Sequence, residues 1–442
     1  MTTSLNAILP PRGIARIKSA IIPLLALLLA AGLLCYRGPL RAIRTAPEGS
    51  DWSPAYIGAR LWVQGANPYD RSAMDKEISK AGLNPARSSS VRPVVYPPQS
   101  LPILALLALP RWPAEKVLVP FLMAALLPLC GWSIASAAGF DFRIKILFAA
   151  AVLAFGPFQT GIAVLNPSVF AVLSILAAGA LWLRDRLILS WMLLGLATAI
   201  KPTLGIWFFV AFASQSAWLV ILSAGTLNAL AMAVALLRMY VAGVHWATAY
   251  SANVVGFFGS GTSNDYSYAN PQRFNLVQLQ VLTFDWAHSR VGADVIAYLM
   301  VLLLAAALFI SLRASNDRLL ALSAISVFAL LPVYHRFYDV GVLVLVLAWC
   351  FREFHRRTSK LVFVAILPLF ASGAALLQAS GPSVPGGLSW MWSHIVLPHQ
   401  LWILLFLCIL LILIARSETG SGRHIGEASA EKAGRLASMA AN

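Results

Sequence analysis

Four short stretches of this 442-residue chain combine chemistry-bearing side chains with apolar flanks. The first is Ser50-Asp51-Trp52-Ser53-Pro54-Ala55-Tyr56, continuing through Arg60 to Gly65-Ala66-Asn67-Pro68-Tyr69-Asp70. An aspartate is ionised at neutral pH and can take the proton of an attacking hydroxyl. Asp51 also stands where a helix begins, and Asp is a good helix cap. Asp70, after Pro-Tyr, reads as a turn residue. The second stretch is Arg92-Pro93-Val94-Val95-Tyr96-Pro97-Pro98, which its prolines hold extended, so that Arg92 and Tyr96 are delivered to the membrane surface. In the third, Lys201-Pro202 interrupts two apolar runs. A lysine at bilayer depth is costly and marks function, unless it snorkels to the interface. The fourth, Tyr334-His335-Arg336-Phe337-Tyr338-Asp339, puts an imidazole, a guanidinium and a carboxylate into one turn. Arginine suits phosphate because its planar fork donates two bonds at once; an Arg336–Asp339 surface pair is the plain alternative.

Other chemistries lack their residues. The four cysteines, Cys35, Cys130, Cys350 and Cys408, lie in or beside apolar runs at no metal-ligand spacing. Neither a metal site nor a disulfide framework is expected. There is no Gly-rich phosphate loop and no pair of aspartates flanking one residue, so a nucleotide-sugar site is not indicated. The segment 242–291 carries His245, Asn264, Asp265, Tyr266, Tyr268, Asn270, Gln272, Arg273, Asn275, Gln278 and Gln280. Such amides and phenols suit a hydroxyl-rich ligand, and a flexible polar loop has the same composition.

The elements that position these groups must lie in a membrane. Hydrophobic residues make up 59% of the chain and charged ones 11%, against about 25% charged in soluble domains. That excludes a soluble globular enzyme and a disordered chain. The net charge is +16, from 33 Lys+Arg and 17 Asp+Glu. Its basic residues fall in short clusters between apolar runs, the signature of cytoplasmic loops and not of a nucleic-acid surface.

The first apolar helix covers about 19–36, and no small-residue cleavage site follows it, so it reads as a retained span. Later runs lie at 117–138, 146–158, 167–183, 187–200, 203–214, 217–241, 292–312, 319–333, 338–351, 361–378 and 400–415. The stretch 99–110 is short and rich in proline. Treating it as juxtamembrane puts Arg143/Lys145, Arg184/Arg186, Arg313/Arg318, Arg352–Lys360 and Arg416/Arg423 all inside. The reading is an all-α polytopic membrane protein of about 12 crossings. Residues 1–18 form a cytoplasmic N-terminus, 19–416 the transmembrane domain and 417–442 a disordered cytoplasmic tail. Outer loops 37–97 and 242–291 then gather the polar residues on one side. Ala55, Ala59, Trp62 and Val63 share one helical face, which predicts an interfacial amphipathic helix over 54–64. The run 187–214 is one broken helix or two, divided at Lys201-Pro202.

Taken in order, Asp51, the helix after it, Gly65-Ala66-Asn67-Pro68-Tyr69-Asp70, Tyr96-Pro97-Pro98, Gly195 to Pro202 and the turn Tyr334–Asp339 resemble glycosyltransferase family 87. The resemblance runs from about residue 20 to 350. It departs at Gln159-Thr160-Gly161-Ile162-Ala163-Val164-Leu165-Asn166, where relatives carry Gly-Gln. The resemblance implies a class C glycosyltransferase bundle with an outward-facing site in the cell (inner) membrane. It implies transfer of a hexose, mannose in the family's type, from a polyprenyl-phosphate donor to a lipid or glycan hydroxyl, with inversion. Carried over by position, Asp51 is the general base. Arg60, Arg92, Tyr96, Lys201, His335 and Arg336 are candidates for the donor phosphate and substrate. No cofactor or metal is implied. The competing readings are a transferase for another polyprenyl-phosphate sugar, such as arabinofuranose, and a lipid or sugar transporter. A transporter would place charges mid-helix in repeated halves.

Overall fold

The computed structural model describes residues 11–45, 50–83, 93–371, 377 and 386–417. Arg92 and residues 418–442 of the expected tail lie outside the described residues. Among the described residues the fold is all-α apart from one two-residue ladder. Helix α1 (Pro11–Arg37) starts earlier than its apolar run, with proline in the first turn, where its missing N–H costs nothing. Short α2 (Pro39–Thr45) follows, then α3 (Trp52–Gln64), α4 (Arg71–Lys80), α5 (Leu101–Leu107) and the long α6 (Trp112–Ala137). Next come α7 (Phe142–Ala154), α8 (Gly156–Ala163), α9 (Ser168–Trp182), α10 (Leu187–Ile200), α11 (Pro202–Ser214) and α12 (Trp218–Val241). The last part runs through α13 (Ala247–Phe257), α14 (Gln280–Ala287), α15 (Arg290–Ala314), α16 (Arg318–Phe328), α17 (Val344–Arg352), α18 (Arg357–Ile366) and α19 (His399–Ser417).

Among the described residues each apolar run contains a helix, but helix length is not uniform. Five described segments are long and apolar enough to cross a bilayer: Ile21–Arg44, α6, α12, α15 and α19. The bent pair α7–α8 makes a sixth if counted as one span. Their outer faces carry exposed Leu and Ile side chains, such as Leu28, Leu129, Leu222 and Leu303, which suits lipid. Helices α9, α10, α11 and α16 have 15, 14, 13 and 11 residues. An α-helix needs about 20 residues to span about 30 Å, so none of these crosses alone. Helices α16 and α17 are buried almost all round and form the centre of the packing. Twelve crossings is therefore more than the described helix lengths give. Hydropathy alone does not separate the short helices: α16 is enclosed by protein, whereas α10 and α11 keep Ile188, Leu189 and Ile206 exposed.

The stretch 98–107 is a short apolar helix, as its length and prolines predict. In helix α3, Trp52 through Ala59 and Leu61 are all buried. Its small residues admit neighbours on every side: a Cβ on Gly58 would come within 2.9 Å of Val94. Lys201 separates α10 from α11, with Pro202 at the first position of α11, so 187–214 is two helices. A Cβ on Gly205 would come within 2.8 Å of the Thr198 backbone, so only glycine allows α11 to fold back this tightly on α10.

The segment 242–291 is structured. Asp265 accepts from the backbone of Gly261 and Ser267 and from the Ser267 hydroxyl, at 2.8–2.9 Å, and pairs with Arg290 at 2.6 Å. Asn270 donates to the Asp265 carbonyl, and Arg273 pairs with Asp285 at 2.5 Å. Strand β1 (Leu276–Val277) then pairs antiparallel with β2 (His335–Arg336), Leu276 opposite Arg336 and Val277 opposite His335. This ladder ties the polar turn at 334–339 to the long loop.

Candidate active site

A cavity of about 330 Å³ opens where the first loop, the α10–α11 break, α13 and the turn at 334–339 converge. Asp51, Tyr96, Asn166, Ser168, Lys201 and Tyr334 form its polar lining. Ile200, Pro202, Val254, Phe257, Phe258 and the rings of Tyr250 and Tyr338 form its apolar walls. Segments distant in sequence thus bring a carboxylate and an ammonium to one hollow.

Asp51 stands at the N-cap position of α3 but makes no side-chain cap hydrogen bond. Its Oδ2 instead accepts from Asn166 Nδ2 at 2.8 Å. Its backbone N–H donates to the Val164 carbonyl at 3.2 Å, and its carbonyl accepts from the Tyr96 hydroxyl at 3.3 Å. The carboxylate therefore faces the cavity and not the start of its own helix. Asp70 is the cap that Asp51 is not: it accepts from Ala73 N–H at 3.0 Å and from the Ser72 hydroxyl at 2.7 Å. Those bonds, the Ser72 hydroxyl foremost, hold its carboxyl below the usual range.

Lys201 lies at the helix break, in an extended conformation that leaves the end of α10. Its Nζ donates to Ser168 Oγ at 3.0 Å and to Asp339 Oδ2 at 2.6 Å. An ammonium has three N–H bonds, and two are used in this way. The ion also lies 5.5 Å from the centre of the Tyr338 ring. Asp339 is fully buried; the same Oδ2 meets His335 Nδ1 at 3.2 Å and the Arg336 backbone N–H at 3.0 Å. A Cβ on Gly161 would come within 3.0 Å of Tyr338 Cβ, so α8 packs closely against this turn.

His335 has no exposed surface and does not line the cavity. Its burial lowers the imidazole below its usual value, outweighing the opposite pull of Asp339. It holds Asp339 and presents no surface to the cavity. Arg336 is half inside this frame. Its Nε donates to the Tyr334 hydroxyl at 2.8 Å, and its Nη2 to Ser263 O at 2.9 Å and Asn264 Oδ1 at 2.7 Å. Asp51 acts on this guanidinium electrostatically. An Arg336→Ala change would thus loosen the long loop as well as alter charge, so it does not report donor binding alone. Of the amides of 242–291, Asn270 holds its own loop, Asn264 holds Arg336 and Asn253 donates to the Tyr69 and Val94 carbonyls of the first loop; what this segment gives the cavity is the apolar face of α13.

Arg60 is not part of the cavity. It pairs with Glu77 at 2.7 Å and lines a separate shallow groove with Ala59, Val63, Ala105 and Leu109. That carboxylate holds its guanidinium above the usual range. The structure therefore brings together Asp51, Tyr96 and Lys201, sets Arg336 and His335 behind them, and leaves Arg60 apart. Asn166, Ser168 and Asp339 were not singled out individually from sequence as site residues. The Asn166-Pro167-Ser168 turn ahead of an apolar helix is the signal that could have found the first two. Among the described residues, no group of three or more His, Cys, Asp or Glu side chains could hold a metal ion.

No curated protein and no solved structure matches this chain. The sequence profile of glycosyltransferase family 87 does, over residues 95–334, a stretch that contains Tyr96, Asn166 and Lys201 and ends at Tyr334. Asp51 precedes it and His335 follows it. The match takes in more than half of an α-helical, multi-pass membrane chain whose cavity is lined by both a carboxylate and an ammonium, and the chain belongs to glycosyltransferase family 87.

Proposed function

We propose that this membrane glycosyltransferase moves a hexose, mannose in the reading we favour, from a polyprenyl-phosphate donor to a hydroxyl of a lipid or glycan. The site faces the periplasm or exterior, in a class C arrangement within the inner membrane. One observation carries the reading: the Asp51 carboxylate and the Lys201 ammonium line the same open cavity, whose other walls are apolar and aromatic. A lipid-linked sugar phosphate has that polarity, a charged centre on an apolar tail.

The chemistry follows from the residues. The acceptor hydroxyl attacks the anomeric carbon; the C–O bond to phosphate breaks and a new glycosidic C–O bond forms. The hydroxyl proton passes to Asp51. The phosphate leaves as an anion already, so no general acid is needed. Attack opposite the leaving group inverts the anomeric centre. Lys201 has an N–H left for that anion, in a partly dry site where such a contact is strong. Tyr96 and Tyr334 supply hydroxyls at the rim for the sugar.

The test is transfer from radiolabelled polyprenyl-phosphate mannose in membranes carrying the protein. Asp51→Asn keeps an oxygen for Asn166 and removes the base. Transfer should fall on the order of 10²- to 10⁴-fold with thermal stability near wild type. Full transfer by this variant removes Asp51 from the base role. Transfer only from an arabinofuranosyl donor in the same assay changes the sugar and not the mechanism.

A further inference from the structure

We propose that Asn166 is a positioning residue for the transfer: it aims the Asp51 carboxylate into the cavity and fixes which of its oxygens is held by the protein. The inference rests on the reading of Asp51 as base and adds the device that presents it.

The geometry leaves the Asn166 amide no choice of orientation. Its Oδ1 accepts the backbone N–H of Ser168 at 2.8 Å, and its Nδ2 donates to Asp51 Oδ2 at 2.8 Å. Turning the amide over would set oxygen against carboxylate and NH₂ against N–H, losing both bonds. The residue is 5% exposed, so both contacts are largely shielded.

The same turn grips the Asp51 main chain. Val164 O takes the Asp51 N–H, and the Asn166 N–H returns to Gly161 O at 2.9 Å. Between them Leu165 sits at φ 55°, a left-handed conformation that a branched side chain rarely adopts. Hydrogen bonds on both sides hold it there. Asp51 is thus fixed at backbone and side chain by one short connection between α8 and α9. Its backbone is already helical at the start of α3, and its side chain turns to Asn166 beside the cavity rather than capping its own helix.

The test separates the two halves of the amide. Asn166→Asp keeps the oxygen that Ser168 needs and replaces the donor to Asp51 by a second carboxylate. Asn166→Ser keeps a short acceptor for the turn and adds no charge. In transfer assays with polyprenyl-phosphate mannose, Asn166→Asp should lose about 10²-fold in kcat with KM for the donor little changed. Asn166→Ser should lose less. Asn166→Ser should melt near wild type, and Asn166→Asp below it at neutral pH, because two adjacent carboxylates repel. Lowering the pH should recover part of the Asn166→Asp activity, because two adjacent carboxyls share a proton and one again donates. The groups facing that pair, Arg336, Tyr334, Tyr338 and Lys201, are the same in wild type, which serves as the control. Wild-type kcat in either folded variant overturns the proposal, as does a loss confined to KM. If Asp51→Asn itself retains full transfer, the base assignment is what fails. If Asp51→Asn is inactive and the Asn166 variants are fully active, only the positioning role fails.

Discussion

The Lys201–Asp339 pair makes the sharpest test of how this site is built. Nζ and Oδ2 lie 2.6 Å apart, with side chains 13% and 0% exposed. Removing one member of a buried pair strands the other charge and costs about 3–5 kcal/mol. Asp339→Asn should sit at the lower end, about 3 kcal/mol, because an amide oxygen can still accept from the Arg336 N–H that Oδ2 holds at 3.0 Å. Lys201→Met strands Asp339 with only that N–H and the His335 ring, and should cost about as much. The double variant carries neither charge. Its loss should fall short of the sum of the two by about 2 kcal/mol, within the range seen for groups in contact. Equilibrium unfolding in mixed micelles measures all four proteins. Additive losses would refute the claim that these groups are energetically one unit. Transfer separates stability from function, since the double variant regains fold but not the cation. Its KM for the polyprenyl-phosphate donor should rise at least about tenfold, the loss of one charge-assisted hydrogen bond. A wild-type KM in a well-folded double variant would take Lys201 out of donor binding.

Two further outcomes follow from the surrounding residues. Burial lowers His335 below its unfolded value, so the unfolded chain takes up the proton first; its contribution is whole above about pH 6.5 and is lost as pH falls below that. Melting temperature should therefore decline from pH 7 to pH 5 with a slope that His335→Gln reduces, and equal slopes in the two proteins would contradict this. Asp70→Ala removes the cap of α4 and should cost about 1 kcal/mol of stability while leaving transfer unchanged, which thermal melts and the radiolabel assay read side by side.

Much of the site could be read from the chain because its residues break local rules. Lys201-Pro202 interrupts an apolar run, and Tyr334–Asp339 packs charge between two others; both violations of membrane energetics mark the cavity or its supporting frame. What sequence could not supply was partnership. Arg60 and Lys201 are each a cation beside apolar neighbours, yet one is paired with Glu77 away from the cavity and the other lines it. Asp51 reads as a cap until Asn166, distant in the chain, is seen to hold its side chain. Helix α3 is buried over most of its length, where small residues such as Gly58 and Ala59 pack on any face. The crossing number is likewise not legible from hydropathy alone: α16 is as apolar as a lipid-facing helix, but its 11 residues are surrounded by protein.

The disposition of charge explains how a base and a phosphate-binding cation can share one hollow. Brought together, Asp51 and Lys201 would form an ion pair, and each would cancel the property that the reaction needs of the other. The structure gives each a partner of its own. Asp339, buried and held by His335 and the Arg336 backbone, takes the ammonium. Asn166 donates to the carboxylate, and the Arg336 guanidinium acts on it through its charge. The buried anion is thus assigned to the lysine and an amide contact to the base. Exchanging them, with aspartate at 166 and asparagine at 339, should disable transfer even though the total charge of the site is unchanged.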